Sequence, residues 1–332
     1  MTSPRYATLC SGVEAVSLAW EPLGMSPVFF CDNAGFPTRF LAERFPQVPN
    51  LGDMLVARGE PWRGKVDVLW ASFPCQDFSE AGKRRGVAGA RGALTLAGVE
   101  LVDAIDPPVF CFENVKGLLS DGKNAFGQFL GRLAGEDVAL VPPGGGWTHS
   151  GYVLGPKRKI AWRLLDAQYF GLPQQRERLF LVACPSDGAD PRRILFEPGP
   201  VPDIADERSR SRQVAGRAAT GMPLATAIAI RGRKHDGVEI QQIEEGGVVS
   251  YCLRASQGGS DKAMVFVCDA DPRNDVVRLL TPIECERCQG MPDDWTLIDG
   301  ASDSVRYHAI GNSLPVPVVR WLGERILQEV SL

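Results

Sequence analysis

Four short apolar runs, Tyr6–Leu9, Val28–Cys31, Val66–Ala71 and Val109–Phe112, punctuate the first third of this chain, and the segments between them carry apolar residues at helical spacing. Runs of this length and composition suit strands buried on both faces of a parallel sheet. Val13, Val16, Trp20 and Leu23 share one helical face and stop at Gly24, a residue suited to a left-handed helix end. Phe36, Phe40 and Leu41 mark a second helix, and Leu94, Ala97, Leu101 and Ala104 a third. Phe126, Phe129, Leu130 and Leu133 mark a fourth, followed by a strand at Leu179–Ala183. This rhythm predicts an α/β fold with a doubly wound sheet, whose ligands bind at the carboxyl ends of the strands.

The rhythm stops after Ala183. From Pro185 to Val277 the chain is rich in Pro, Gly and Arg and offers short strand candidates such as Ala227–Ile230. A helix returns at Pro315–Leu327, with Pro315 suited to a first turn. Residues 1–184, completed by 305–332, are therefore expected to form one domain, and 185–304 a second, smaller and irregular one. A chain of 332 residues with 44% hydrophobic and 23% charged residues has the composition of a globular protein, not of a coiled coil or a disordered tail. No apolar run is long enough to span a membrane and Met1–Trp20 lacks a signal-peptide core, so a soluble, cytoplasmic protein is expected. Its nine cysteines then read as free thiols. With 36 basic against 40 acidic residues, any nucleic-acid binding needs a local basic surface. Arg208, Arg210, Arg212, Arg217, Arg231, Arg233 and Lys234 supply seven positive charges with no acidic residue between Arg208 and His235.

The first strand–helix turn, Cys10-Ser11-Gly12-Val13-Glu14-Ala15, holds one glycine where a dinucleotide fingerprint holds three. Asp32 follows Gly12 by twenty residues, the spacing at which an acid meets a ribose hydroxyl. Glu14 would repel a diphosphate but tolerates a nucleoside carrying a sulfonium. Cys75 lies in Ser72-Phe73-Pro74-Cys75-Gln76-Asp77-Phe78-Ser79, after the strand Val66–Ala71. Alone it reads more readily as a small buried hydrophobe. On a loop at a strand's carboxyl end it reads as a nucleophile, and the next strand ends in Glu113-Asn114-Val115, bringing a carboxylate beside the thiol. Arg176 and Arg178 are two apart in an extended segment and so point to one side as paired donors, unless they belong to a solvated charge run. Cys285 and Cys288 form a lone pair and His149, His235 and His308 no cluster, so no metal is expected.

In order along nearly the whole chain, these segments resemble the DNA cytosine-5 methyltransferase family. Ser11-Gly12, Asp32, Gly52-Asp53-Met54, Pro74-Cys75-Gln76, Glu113-Asn114-Val115 and Gln174-x-Arg176-x-Arg178 are similar to its motifs. So are Arg278-Leu279-Leu280-Thr281-Pro282, with Glu284, Arg287, Gln289, Gly290 and Pro292, and finally Gly311-Asn312-Ser313. The family's Phe-x-Gly-x-Gly-Gly is altered in Cys10–Ala15, and Asn33 stands where an apolar residue commonly covers adenine. Val13-Glu14-Ala15 and Trp147–Phe170 resemble the branch common in phages and prophages.

The resemblance implies a Rossmann-like mixed sheet and S-adenosylmethionine as cofactor. It places Cys10, Ser11, Gly12, Glu14, Asp32, Asn33, Asp53, Met54, Pro74, Leu94, Asn312 and Ser313 around that cofactor. Cys75 is implied as the covalent nucleophile, Glu113 as the ring acid, Arg178 as the holder of the cytosine oxygen and Arg176 as its support. The target base would be flipped out of duplex DNA, and the loop Gln76–Gly92, with Gln76 and Ser79, would close over it. Residues 185–304 become a target-recognition domain, with Arg231, Arg233, Lys234, Arg254 and Gly258 as its DNA contacts. The implied protein is a monomer acting at the nucleoid on double-stranded DNA, with a cognate restriction endonuclease as a candidate partner. Two alternatives stay open: a tRNA cytosine-5 methyltransferase, and a non-catalytic DNA-binding relative.

Overall fold

The computed structural model of the chain describes residues 3–73, 92–197, 225–232, 238–243, 253, 263–267 and 276–330. Seven strands form the main sheet: β1 (Arg5–Leu9), β2 (Ser26–Cys31), β3 (Val68–Ala71), β4 (Val109–Val115), β5 (Ser150–Leu154), β6 (Arg158–Asp166) and β7 (Glu177–Pro185). Their order is β2-β1-β3-β4-β7-β6-β5. The first four pair in parallel, and β7, β6 and β5 add antiparallel strands, so the sheet is mixed, as expected. The helices are α1 (Ala15–Trp20), α2 (Gly35–Arg44), α3 (Gly92–Ile105), α4 (Ala125–Ala134), α5 (Pro191–Leu195), α6 (Pro282–Gln289), α7 (Asp303–Asn312) and α8 (Val316–Glu329). A second sheet, ordered β11-β10-β8-β9, contains β8 (Ala225–Gly232), β9 (Val238–Ile243), β10 (Ala263–Val267) and β11 (Val276–Leu279), all antiparallel.

Period-two alternation divides the central strands between two cores. Val68 and Trp70, Val109 and Cys111, and Phe180, Val182 and Cys184 face the core shared with α1, α5 and α8. Leu69 and Ala71, Phe110 and Phe112, and Leu179, Leu181 and Ala183 face the opposite core with α3 and α4. Strands clothed on both faces must be apolar at every position, and that is why they were legible as unbroken runs. The first helix ends as read, in a 3-10 turn over Glu21–Leu23 closed by Gly24 at φ 83°.

The hairpin β5–β6 and the helix α7 have no counterpart in the sequence reading. β6 opens on Arg158-Lys159 and β5 is nowhere fully buried, so neither shows the apolar run of a central strand. Ile194 and Leu195 of α5, and Met291 and Ile298 after α6, lie in the same core as α1 and α8. These residues sit between 185 and 304 in sequence, yet they pack with the main sheet. The motif Arg278–Pro292 is in large part a helix start: Thr281 and Glu284 form a capping box on α6, and Arg278 makes two 2.7 Å contacts to the Glu284 carboxylate.

The last helix closes the fold against the first. Trp20 Nε1 donates to the Val319 carbonyl at 2.9 Å, and a Cβ at Gly323 would stand 2.5 Å from Trp20 Cδ1. Gly323→Val should therefore overpack this contact and cost about 1–3 kcal/mol in urea denaturation. An unchanged midpoint would mean that α8 does not dock on Trp20.

Candidate active site

At the carboxyl end of β1 the backbone turns sharply, with Cys10 at φ 56°, Gly12 at φ 58° and Glu14 at φ 50°. Two non-glycine residues in the left-handed region within five positions are strain of the kind that clusters at functional sites. The turn is held from β2: Cys10 N donates to the Cys31 carbonyl at 2.8 Å, and Cys31 N donates to Ser11 Oγ at 3.0 Å. Asp32 accepts from the Gly12 amide through one oxygen and from the Ala34 amide through the other, each at 2.9 Å. Burial raises the Asp32 carboxyl and these two amides pull it back.

Asn50, which the sequence reading passed over, joins this turn to the next loop. Its Oδ1 accepts from Asp32 N at 3.0 Å and from Gly52 N at 3.1 Å, while its Nδ2 donates to the Asp32 carbonyl at 2.9 Å. Asp53 and the buried Met54 follow, and Asn33 stands exposed beside Asp32. A Cβ at Gly12 or Gly52 would meet nothing within 4 Å, so the space over both turns is open. Open backbone flanked by two carboxylates fits a nucleoside with ribose hydroxyls and an amino group, since each carboxylate oxygen accepts more than one hydrogen bond.

Glu14 departs from its expected place beside the cofactor. Its side chain is fully buried beneath the turn and accepts from the Thr8 and Ser17 hydroxyls, the latter at 2.6 Å; Tyr6 OH donates to the same Ser17 hydroxyl at 2.8 Å. Its carboxylate therefore braces the turn from below. Leu94 lies in α3. Asn312 closes α7 exposed, and Ser313 caps it. Gly311 belongs to α7, Ser313 N donates to the Ile310 carbonyl at 3.0 Å, and the Gly311 and Ser313 carbonyls accept from Arg176.

The second cluster lies where β3 and β4 end and β7 begins. Glu113 pairs in register with Phe180, so Arg178 is its diagonal neighbour on the same face of the sheet. Arg178 Nε lies 3.4 Å from Glu113 Oε1. Burial is the largest influence on the Glu113 carboxyl and raises it; Arg178, Arg176 and a hydrogen bond with Ser72 pull it down without cancelling the rise. Ser72 is the first residue after β3, and Trp70 Nε1 donates to its hydroxyl at 3.0 Å. Asn114, on the opposite face, donates to the Phe73 carbonyl at 2.9 Å. One strand end thus presents the acid with one residue and anchors the Phe73 peptide, two residues before Cys75, with the next.

Arg176, the other member of the expected donor pair, is near enough to Glu113 to lower its carboxyl. Its guanidinium is buried against the carbonyls of Leu253 (3.1 Å), Gly311 (3.2 Å) and Ser313 (2.6 Å). Pro74, Cys75, Gln76, Ser79, Arg233, Lys234, Arg254 and Gly258 lie outside the described residues, and Arg231 falls in β8. Cys285 and Cys288 are buried in α6, and among the described residues no group of three or more His, Cys, Asp or Glu side chains could hold a metal. Likewise, among the described residues no helix is long and apolar enough to cross a membrane.

The profile of the family described as C-5 cytosine-specific DNA methylase matches residues 5–328. A protein of Escherichia phage P1 named DNA N-6-adenine-methyltransferase is 33% identical across 98% of this chain, which spans 61% of that relative's length. Two type II methyltransferases, M2.BsuMI of Bacillus subtilis (strain 168) and M.HpaII of Haemophilus parainfluenzae, are 27% and 26% identical over 98% of this chain and 75% and 90% of their own. Among solved structures, S. pombe Dnmt2 methyltransferase superposes with a TM-score of 0.66 at 14% identity, over 98% of this chain and 99% of that one. The methyltransferase EhMeth of Entamoeba histolytica gives 0.63 at 14%, over 99% of each chain. These structural likenesses show a shared fold.

The buried Glu14 gives a stability test. Burial pushes its carboxyl from 4.5 up to about 7, so at intermediate pH the folded state holds a proton that the unfolded state has lost. Stability from this group is therefore lost as pH rises from 4.5 through about 7. Glu14→Gln, of equal shape and no charge, should flatten that part of the profile and exceed the wild type above pH 7 by up to about 3 kcal/mol. Parallel stability–pH curves for the two proteins, from urea denaturation, would contradict this.

Proposed function

Since the chain belongs to the C-5 cytosine-specific DNA methylase family, we propose that it methylates carbon 5 of cytosine in a specific sequence of double-stranded DNA, using S-adenosylmethionine. The observation that carries this reading is the buried Glu113 carboxyl, raised by burial, next to Arg178 at the end of the strand adjoining the Cys75 loop. Carbon 5 of cytosine is a weak nucleophile until the ring is activated. In the proposed cycle Cys75, its thiol proton lost to solvent, adds as thiolate to carbon 6, and Glu113 gives a proton to ring nitrogen 3 as that bond forms. Arg178 holds the cytosine oxygen, and carbon 5 becomes enamine-like. When bound, S-adenosylmethionine supplies an electrophilic methyl on its sulfonium. Loss of the carbon-5 proton then lets the Cys75 sulfur leave, and Glu113 takes its proton back. Asp32 would hold the ribose hydroxyls and Asp53 the adenine amino group. The base must leave the helical stack for sulfur to reach its face.

We further propose that the recognition part lies between Glu197 and Leu280, within the basic stretch and the second sheet, because residues of 194–196 and 291–301 pack with the catalytic core. The charge pattern from Arg208 to Lys234 suits phosphate contact, with Arg231 and Arg233 as base readers. Duplex DNA is thus the substrate and a cognate restriction endonuclease a partner of the same system.

The phage relative's printed name gives a second reading, methylation at adenine N6. An exocyclic amino nitrogen attacks the electrophilic methyl directly, without ring activation, so that chemistry needs neither a thiol nor a ring-protonating acid; this chain has both in the motif order of the family. Tritiated methyl transfer to duplex DNA, followed by nucleoside analysis, should give 5-methyldeoxycytidine. N6-methyladenine, or label entering tRNA in preference to DNA, would overturn the proposal. Duplex carrying 5-fluorocytosine at the target should trap wild-type protein covalently, whereas Cys75→Ser should form no adduct.

A further inference from the structure

Leu253 is gripped by its own peptide groups. Its N–H donates to Gln174 Oε1 at 3.0 Å, and its carbonyl accepts from Arg176 Nη1 at 3.1 Å. Its side chain packs with Leu280, Cys285, Cys288 and Ile310. The two gripping side chains are themselves fixed. Gln174 Nε2 donates to the Cys288 carbonyl at 3.0 Å, and Arg176 Nη2 donates to the Gly311 and Ser313 carbonyls at 3.2 and 2.6 Å. The Arg176 amide donates to Asp166 Oδ1 at 2.9 Å. Gln174 and Arg176 are 0% and 3% exposed, so each bond is shielded from water and expensive to leave unmade.

Two residues beyond Arg176 stands Arg178, the partner of Glu113. Arg176 cannot shift without breaking bonds to residue 253 and to the end of α7, and a shift at the entry to β7 carries Arg178 with it. We propose that Gln174 and Arg176 are positioning residues that couple the recognition segment to the Arg178–Glu113 pair, with the Leu253 peptide as the coupling element. This rests on the reading of 197–280 as the recognition part. A correctly seated target sequence then holds Leu253, and through it the catalytic pair, in working register.

The test combines Gln174→Leu, which keeps volume and removes both hydrogen-bonding ends, with hydrogen exchange at the Leu253 amide. Wild-type protein should protect that amide, and target duplex should slow exchange at Leu253 and at residues 176–178 together. In Gln174→Leu the protection should be lost. Its kcat on target DNA, and its preference for target over non-target DNA, should each fall about tenfold, the effect of one buried polar group left unpaired. S-adenosylmethionine affinity by calorimetry should stay within about twofold, because the Asp32 and Asn50 network is untouched. A Leu253 amide that exchanges freely in the wild type overturns the clamp, whether or not the variant folds. Unchanged kcat and preference in a folded Gln174→Leu also overturn it, as would cofactor affinity and kcat falling by one common factor. A wild type that transfers no methyl to DNA while Leu253 stays protected would instead overturn the proposed function.

Discussion

A carboxylate at the buried end of a strand needs a cation, and at Glu113 the sheet supplies one through strand register. Glu113 is 7% exposed, and removing such a charge from water costs several kcal/mol unless it is paired and hydrogen-bonded. The antiparallel return of β7 beside β4 sets Arg178 diagonally across from Glu113, and Ser72 arrives from the end of β3. A parallel neighbour to β4 would have run the other way, bringing its carboxyl end, not its start, to this edge. The change from parallel to antiparallel pairing at β4 is therefore what allows an arginine at the start of one strand to meet an acid at the end of another. Because the pair reduces the rise in the Glu113 carboxyl without abolishing it, the group is suited to give up and recover a proton.

The rest of the molecule holds that edge in place. Asn114 anchors the Phe73 carbonyl, Arg176 ties the start of β7 to the end of α7, and α8 closes on α1 through Trp20. At the other end of the sheet's working edge, Asn50 joins the Asp32 and Gly52 turns, so both acids proposed to hold the cofactor share one support. Trp295, far along the chain, donates to the Val13 carbonyl at 2.7 Å, fastening the first turn to the segment after α6. Residues from both ends of the sequence therefore build each half of the site.

The parallel strands and their helices were legible because burial on both faces leaves an unbroken apolar signature. The hairpin β5–β6 was not: β5 is the edge strand and nowhere fully buried, and β6 opens on Arg158, a buried charge paired with Asp103 that breaks the apolar run. Asp32, Glu113 and Arg178 were legible from their positions relative to strand ends. Arg176 and Glu14 were placed in the site by spacing and resemblance, but spacing fixes only which side of the backbone a residue leaves. Whether a side chain then meets solvent, substrate or a carbonyl depends on partners such as Leu253 and Ser17, which are remote in sequence or fold beneath the turn. Asn50 carries no local signal at all, because its hydrogen bonds go to backbone groups that only the fold assembles, and the motif that names Gln174 does not reveal its bond to the Leu253 amide.

The central claim is that Glu113, held by Arg178, serves as the ring acid. It is tested most directly by the single-turnover rate of methyl transfer by Glu113→Gln on target duplex, with cofactor affinity measured in parallel. An amide keeps the shape but cannot pass a proton, so the rate should fall by about 10²–10⁴ while S-adenosylmethionine binding is unchanged. A variant that transfers methyl at a rate near wild type would contradict the account.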